Sequence, residues 1–109
     1  MADTEIIALS TESFHRVLST GVSVVAFCTT HCAPCKAMAP EFARAAAERP
    51  GWRFCTQNIS EHLQPAFDLG IVSVPSVGVF SNGELIGVTK GPKRAGEILA
   101  EVDRIAAGA

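Results

Sequence analysis

Two of the four cysteines in this chain, Cys32 and Cys35, stand at the spacing that allows thiol chemistry. They follow an apolar, strand-like run and open a helical pattern, so Cys32 is expected at a helix start. The unpaired backbone N–H groups and the macrodipole there favour a thiolate. Two intervening residues bring Cys35 back within one helical turn. Cys32 can therefore attack a disulfide, and Cys35 can then release the mixed disulfide that results.

The residues around the pair modulate this chemistry. Pro34 stiffens the loop and lacks an N–H that the first helical turn would not use. The intervening dipeptide is Ala33-Pro34. His31 directly precedes Cys32, where a protonated imidazole would favour the thiolate. His31 is interpreted equally well as an exposed loop residue that does not influence Cys32.

The remaining cysteines have less direct interpretations. Cys28, Cys32 and Cys35 together match the three-cysteine spacing of iron–sulfur clusters in radical enzymes. Such enzymes need most of a large α/β barrel, and 109 residues cannot form one. Cys28 is therefore interpreted as a small apolar residue at a strand end, and Cys55 as inert core.

Apolar periodicity and turn residues predict the elements that position the pair. Residues 22–28 are β-branched and apolar, which is typical of a central strand buried on both faces. Ser10 is a candidate N-cap, and Pro40 lies inside the helix that follows the pair. Asn82-Gly83 between two apolar runs is a strong hairpin signal. The predicted strands are 6–9, 22–28, 52–59, 77–80 and 84–89, and the predicted helices are 11–19, 32–48, 61–69 and 93–107.

This order predicts an α/β domain with a largely parallel sheet, right-handed crossovers and an antiparallel edge formed by the hairpin. The 109 residues suit one domain, 1–109. The net charge is −2 and no basic stripe is present, which argues against nucleic acid as a partner. The N-terminus lacks a secretory pattern and no apolar run could span a membrane, so a cytoplasmic location is expected.

Several segments together resemble the thioredoxin family over nearly the whole chain. Residues 24–27 leading into Cys-Ala-Pro-Cys-Lys resemble its active-site segment, and Pro40 matches a helix proline of the family. Asn58-Ile59 resembles the end of its third strand, and Val74-Pro75-Ser76 its cis-proline loop. Residues 80–84 resemble its hairpin, and Gly91 resembles its glycine near the substrate groove.

This resemblance implies the thioredoxin fold, a mixed five-stranded sheet flanked by four helices. It implies that Cys32 is the nucleophile, Cys35 the resolving thiol and Pro75 a cis proline. Val74 would offer its backbone to a substrate in strand-like pairing, close to Gly91. The implied activity is that of a monomeric protein-disulfide reductase without a bound cofactor or metal. Its partners would be disulfide-containing proteins and a flavoprotein similar to thioredoxin reductase.

The chain departs from the family pattern close to the cysteine pair. Typical members carry a buried Asp where this chain has Ala26 and its Lys partner where it has Thr56. They carry tryptophans in place of Cys28 and His31. Without an acid beneath it, the Cys35 thiolate should be disfavoured and the release of a mixed disulfide slow.

Two other classes of protein stay open on the sequence alone. One is a metal or iron–sulfur module that uses Cys32, Cys35 and either Cys28 or His31. The other is a redox-inert binding domain that holds a partner near Pro75. The reduction potentials of such dithiols differ widely, so the direction of exchange is also open.

Overall fold

The computed structural model describes residues 5–108, which form five strands and four helices in strict chain order. Most boundaries lie within two residues of those expected from the sequence, and the central strand agrees at both ends. The elements are β1 (Ile7–Leu9), α1 (Phe14–Leu18), β2 (Val22–Cys28), α2 (Ala33–Ala47), β3 (Arg53–Asn58), α3 (Leu63–Asp68), β4 (Ser76–Ser81), β5 (Glu84–Lys90) and α4 (Ala95–Ala107).

All five strands belong to one sheet with the order β1-β3-β2-β4-β5. β3 pairs parallel with both β1 and β2, whereas β4 runs antiparallel to both β2 and β5. The mixed sheet agrees with the prediction, but only one strand of the hairpin forms its edge. β4 lies inside the sheet between β2 and β5, where residues 76–80 are buried, and β5 is the edge strand.

The turn between β4 and β5 has the backbone that its sequence predicts. Asn82 has a φ of 51° and Gly83 a φ of 88°, the left-handed region that a tight hairpin turn needs at both positions. Asn82 also exchanges two hydrogen bonds of 2.9 Å with Gly21, one through its side chain and one through its backbone N–H. The hairpin tip is therefore joined to the start of β2.

Each side of the sheet has its own apolar core. The α2/α4 face buries Val24, Ala26 and Phe54 against side chains of α2 and α4, including Phe42 and Ile98. The α1/α3 face buries the alternate strand residues against α1 and α3, as the period of two along a strand requires. Its buried members are Leu9, Phe14, Leu18, Val25, Phe27, Cys55, Ala66, Ile71 and Phe80.

The first helix begins later than the sequence suggested. Ser10 was expected to cap it, but the helix starts at Phe14. Ser10 and Ser13 instead bind each other: each backbone N–H donates to the other's hydroxyl, at 2.9 and 3.1 Å. Such local side-chain hydrogen bonds compete with helical ones, and they hold residues 11–13 in a turn.

Candidate active site

Cys32 and Cys35 form a disulfide at the point where β2 gives way to α2, with their Cα atoms 5.2 Å apart. Cys32 is the N-cap of α2 and has an extended backbone. Its Sγ accepts a hydrogen bond of 3.2 Å from the backbone N–H of Cys35. One of the orphan donors of the helix N-terminus therefore points at the Cys32 sulfur, as the sequence predicted.

The sequence explains why the helix begins here. Thr29, Thr30 and His31 interrupt the apolar run of β2. Pro34 occupies one of the first two helical positions, where its missing N–H leaves no hydrogen bond unmade. The carbonyl of Cys32 accepts the first helical bond from Lys36 N at 3.1 Å. The pair is thus held by a strand end on one side and a rigid helical turn on the other.

Solvent exposure does not separate the two cysteines. In the disulfide Cys32 is 9% exposed and Cys35 is 7% exposed. Their surroundings differ instead. His31, Ala33 and Pro34, the three residues adjacent to Cys32 or between the cysteines, are all exposed. Cys35 faces inward and lines a cavity between α2 and the sheet.

The loop that carries Pro75 lies against the same cavity. The Val74–Pro75 peptide bond is cis, as the resemblance implied, and Val74 is partly exposed. Gly91, with a φ of 91°, donates a backbone hydrogen bond of 2.9 Å to the Pro75 carbonyl. Three segments far apart in the sequence, at the cysteine pair, Pro75 and Gly91, therefore meet at one end of the sheet.

The cavity beneath Cys35 has a volume of about 110 Å³ and an almost wholly apolar lining. Of the residues that line it, Ala26 and Pro75 are buried, and Cys28 and Thr56 are partly exposed. Among the described residues, none that lines it carries a carboxylate. The residues that line it are Ile6, Ala26, Phe27, Cys28, Cys35, Met38, Ala39, Phe42, Thr56 and Pro75.

The sequence identified Ala26 and Thr56 as departures from the family pattern, but it did not predict the cavity that these small side chains leave. Ala26 and Thr56 are register partners on β2 and β3, so two small side chains stand next to each other. Met38 and Phe42, the α2 side chains that complete the wall, were assigned only to a helix. A signal was present: small residues at positions 26 and 28 share one strand face, directly before the cysteine pair.

The other two cysteines lie on opposite faces of the sheet. Cys28 lies on the Ala26 side, whereas Cys55 pairs with Val25 and belongs to the α1/α3 core. Both are free thiols. Burial, and to a lesser extent the charge of Glu61, raises the pKa of Cys28. Burial raises the pKa of Cys55 to about 11.

The remaining histidines stand apart from the site. His15 is exposed and packs edge-on against Phe14, 5.3 Å between ring centroids. His62 is half-buried. Its Nδ1 accepts a 3.3 Å hydrogen bond from Thr11 N, and its carbonyl accepts one of 2.8 Å from Gln57.

Metal-binding clusters and membrane-spanning helices are both absent from residues 5–108. Within that range no three or more His, Cys, Asp or Glu side chains come together as a metal site would require. No helix in the same range is long and apolar enough to cross a membrane.

The site and the fold match one family of known proteins. The thioredoxin family model matches residues 5–104. A thioredoxin of Mycoplasma genitalium is 38% identical over 60 residues, covering 55% of this chain and 59% of that protein. A thioredoxin of Staphylococcus saprophyticus is 31% identical over 100 residues, covering 89% and 93%.

Solved structures show the same architecture. Thioredoxin f from spinach chloroplast superposes with a TM-score of 0.85, covering 97% of this chain and 98% of that one. The two sequences are 23% identical, so this likeness concerns the fold.

Proposed function

Because the chain belongs to the thioredoxin family of protein-disulfide oxidoreductases, we propose that it is a cytoplasmic reductase of protein disulfides. Cys32 is its nucleophile and Cys35 its resolving thiol. The observation that carries the proposal is the Cys32–Cys35 disulfide at the N-terminus of α2, with Cys35 N aimed at the Cys32 sulfur. This donor and the helix dipole favour negative charge on Cys32 in the dithiol form.

The reaction consists of two exchanges. The Cys32 thiolate attacks one sulfur of a substrate disulfide, and the other substrate sulfur leaves as a thiolate. The Cys35 thiolate then attacks Cys32 Sγ, which expels the second substrate thiolate and forms the Cys32–Cys35 disulfide. Two electrons pass from the protein to the substrate. A flavoprotein similar to thioredoxin reductase restores the dithiol.

The Pro75 loop supports this role because of its position. Val74 is partly exposed one residue before Pro75, which lines the same cavity as Cys35. Gly91 is bound to the Pro75 carbonyl and extends this surface. We assign Val74, Pro75 and Gly91 to substrate binding, with an extended substrate segment pairing along the Val74 backbone. His31, Ala33 and Pro34 line the exposed side of Cys32 and modulate it.

Reduction of insulin disulfides, followed by turbidity with dithiothreitol as electron donor, tests the activity. Cys32→Ser and Cys35→Ser should each abolish turnover, and Cys28→Ser is the matched control that should retain it. Equal turnover by wild type and Cys32→Ser would overturn the assignment. Equilibration of the dithiol with glutathione, measured by mass after alkylation, tests the direction of exchange, and a reductase should be the more reducing couple.

A further inference from the structure

The cavity beneath Cys35 offers few hydrogen-bonding groups to an occupant. Of the ten residues that line it, Thr56 alone carries a side-chain oxygen, and none carries a side-chain nitrogen. Three others carry sulfur, Cys28, Cys35 and Met38, and sulfur forms only weak hydrogen bonds. A water molecule in a protein interior needs about two to four polar partners, so this lining suits an apolar occupant better than water.

The cavity has room for a small molecule and lies close to solvent. Its volume of about 110 Å³ is of the same order as the roughly 150 Å³ of an engineered apolar cavity that takes up benzene. Among its lining residues Ala39 is exposed, and Ile6 and Thr56 are half-buried. These side chains belong both to the lining and to the molecular surface, so the wall is one side chain thick on this side. A small displacement of these side chains would admit a molecule from solvent.

The cavity is separate from the surface that the proposed substrate would cover. Cys35 lines the cavity, but Cys32, Val74 and Gly91 do not. Pro75 belongs to both regions, and it is buried. A protein substrate attached to Cys32 therefore lies outside the cavity, which leaves the space beneath Cys35 to a free small molecule.

We propose that this cavity is a binding site for a small aromatic hydrocarbon of about six non-hydrogen atoms, held against Cys35. The Met38 thioether and the Phe42 ring both line the cavity, and sulfur atoms and ring edges make favourable contacts with an aromatic ring. Such a ligand also restores dispersion contacts that side chains beside empty space lack. This binding is a property of the folded chain and does not depend on the proposed reductase function.

The test uses benzene as the probe, titrated into the oxidised protein and followed by NMR. The methyl resonances of Ala26 and Met38 should shift saturably, with a Kd on the order of 1 mM. The Tm should rise with the benzene concentration, because the ligand binds the folded state. Naphthalene, a larger fused ring, should cause no saturable shift of these methyls. Non-specific association would give the opposite ranking, since it grows with apolar area.

Two variants locate the ligand. Ala26→Val places methyl groups in the same space and should weaken benzene binding by about tenfold or more. Its matched control, Ala100→Val, makes the same change at an exposed residue of α4 and should bind benzene as wild type does. Thr56→Val keeps the shape of the lining without its hydroxyl and should bind benzene at least as tightly. Unchanged Ala26 and Met38 methyls in wild type, or full affinity in Ala26→Val, would overturn the inference.

Discussion

The two faces of the sheet bury a cysteine in different ways. On the α1/α3 face, Cys55 is fully buried within a core where the ring of Phe14 lies 5.7 Å from that of Phe80 and 6.5 Å from that of Phe27. On the α2/α4 face, Cys35 borders a cavity of about 110 Å³. The Cys55 thiol is enclosed by the apolar residues of its core, and Cys35 lies against unfilled space.

Because of this difference, the two faces contribute to different properties of the protein, one to stability and the other to disulfide exchange. The α1/α3 core contains neither cysteine of the disulfide, so its side chains serve mainly stability. In the proposed exchange the other face holds the sulfur that attacks Cys32, and small side chains at Ala26 and Thr56 leave space below it. We therefore expect substitutions on the α1/α3 face to change mainly stability, and those near the cavity to change exchange as well.

The largest expected effect compares one phenylalanine on each face. Phe14→Ala should lower the free energy of unfolding by about 3–5 kcal/mol, because it removes a buried ring that packs against Phe27 and Phe80. Phe42→Ala should cost less, since Phe42 already borders the cavity and makes fewer contacts on that side. Urea unfolding of the oxidised proteins measures both. An equal or larger loss for Phe42→Ala would show that the α2/α4 face is packed at least as well as the α1/α3 face.

The next effect concerns an acid placed in the cavity. Ala26→Asp should speed the release of a mixed disulfide, because the carboxylate can take the proton from Cys35. It should also lower stability by about 1–3 kcal/mol, since a buried carboxyl without a partner is poorly solvated. Rapid-quench measurement of the mixed-disulfide lifetime and a urea unfolding midpoint test the two parts.

Ala26→Asn is the matched control, with nearly the same shape and no ionisable group. It should share the loss of stability and leave the lifetime of the mixed disulfide unchanged. If a folded Ala26→Asp protein releases substrate no faster than wild type, another base already serves Cys35. His31 and water are the two candidates for that base.

A smaller effect should have opposite signs on the two faces. Ala26→Val adds methyl groups beside empty space and should stabilise the protein by about 1 kcal/mol. Ala66→Val makes the same change at a fully buried α3 residue of the α1/α3 face. It should destabilise the protein by about 1 kcal/mol or more. Thermal unfolding of the two variants side by side is sufficient. If both variants change stability in the same direction, the two faces do not differ in packing.

The smallest effect appears only in alkaline solution. The pKa of Cys55 is raised from 9.0 to about 11 by burial, so the folded protein keeps this proton after the unfolded chain has lost it. Stability should therefore fall as the pH rises from about 9 to about 11. Cys55→Ala should make this decline shallower, whatever it does to stability at pH 7. Unfolding midpoints at pH 7, 9 and 10.5 measure the slope, and an identical slope in both proteins would contradict the prediction.

The sequence predicted much of the fold and the position of the cysteine pair. Residues 22–28 form the central strand as expected, and Asn82-Gly83 makes the expected turn. The N-terminal helix was less well predicted, because the mutual hydrogen bonds of Ser10 and Ser13 hold a turn where periodicity suggested a helix. The separation of Cys28 from Cys55 onto opposite faces agrees with the strand register that the family resemblance implies.

By itself the sequence determined where a thiolate would be favoured, because Cys32, Pro34 and the start of α2 act through a single helical turn. Only the tertiary structure decided what lies beneath Cys35. A cavity volume depends on how side chains from β1, β2, β3, α2 and the Pro75 loop fill a shared space, and no local pattern encodes that sum. The hydrogen bond between Gly91 and Pro75 is likewise tertiary, because it joins residues that only the pairing of β4 with β5 brings together.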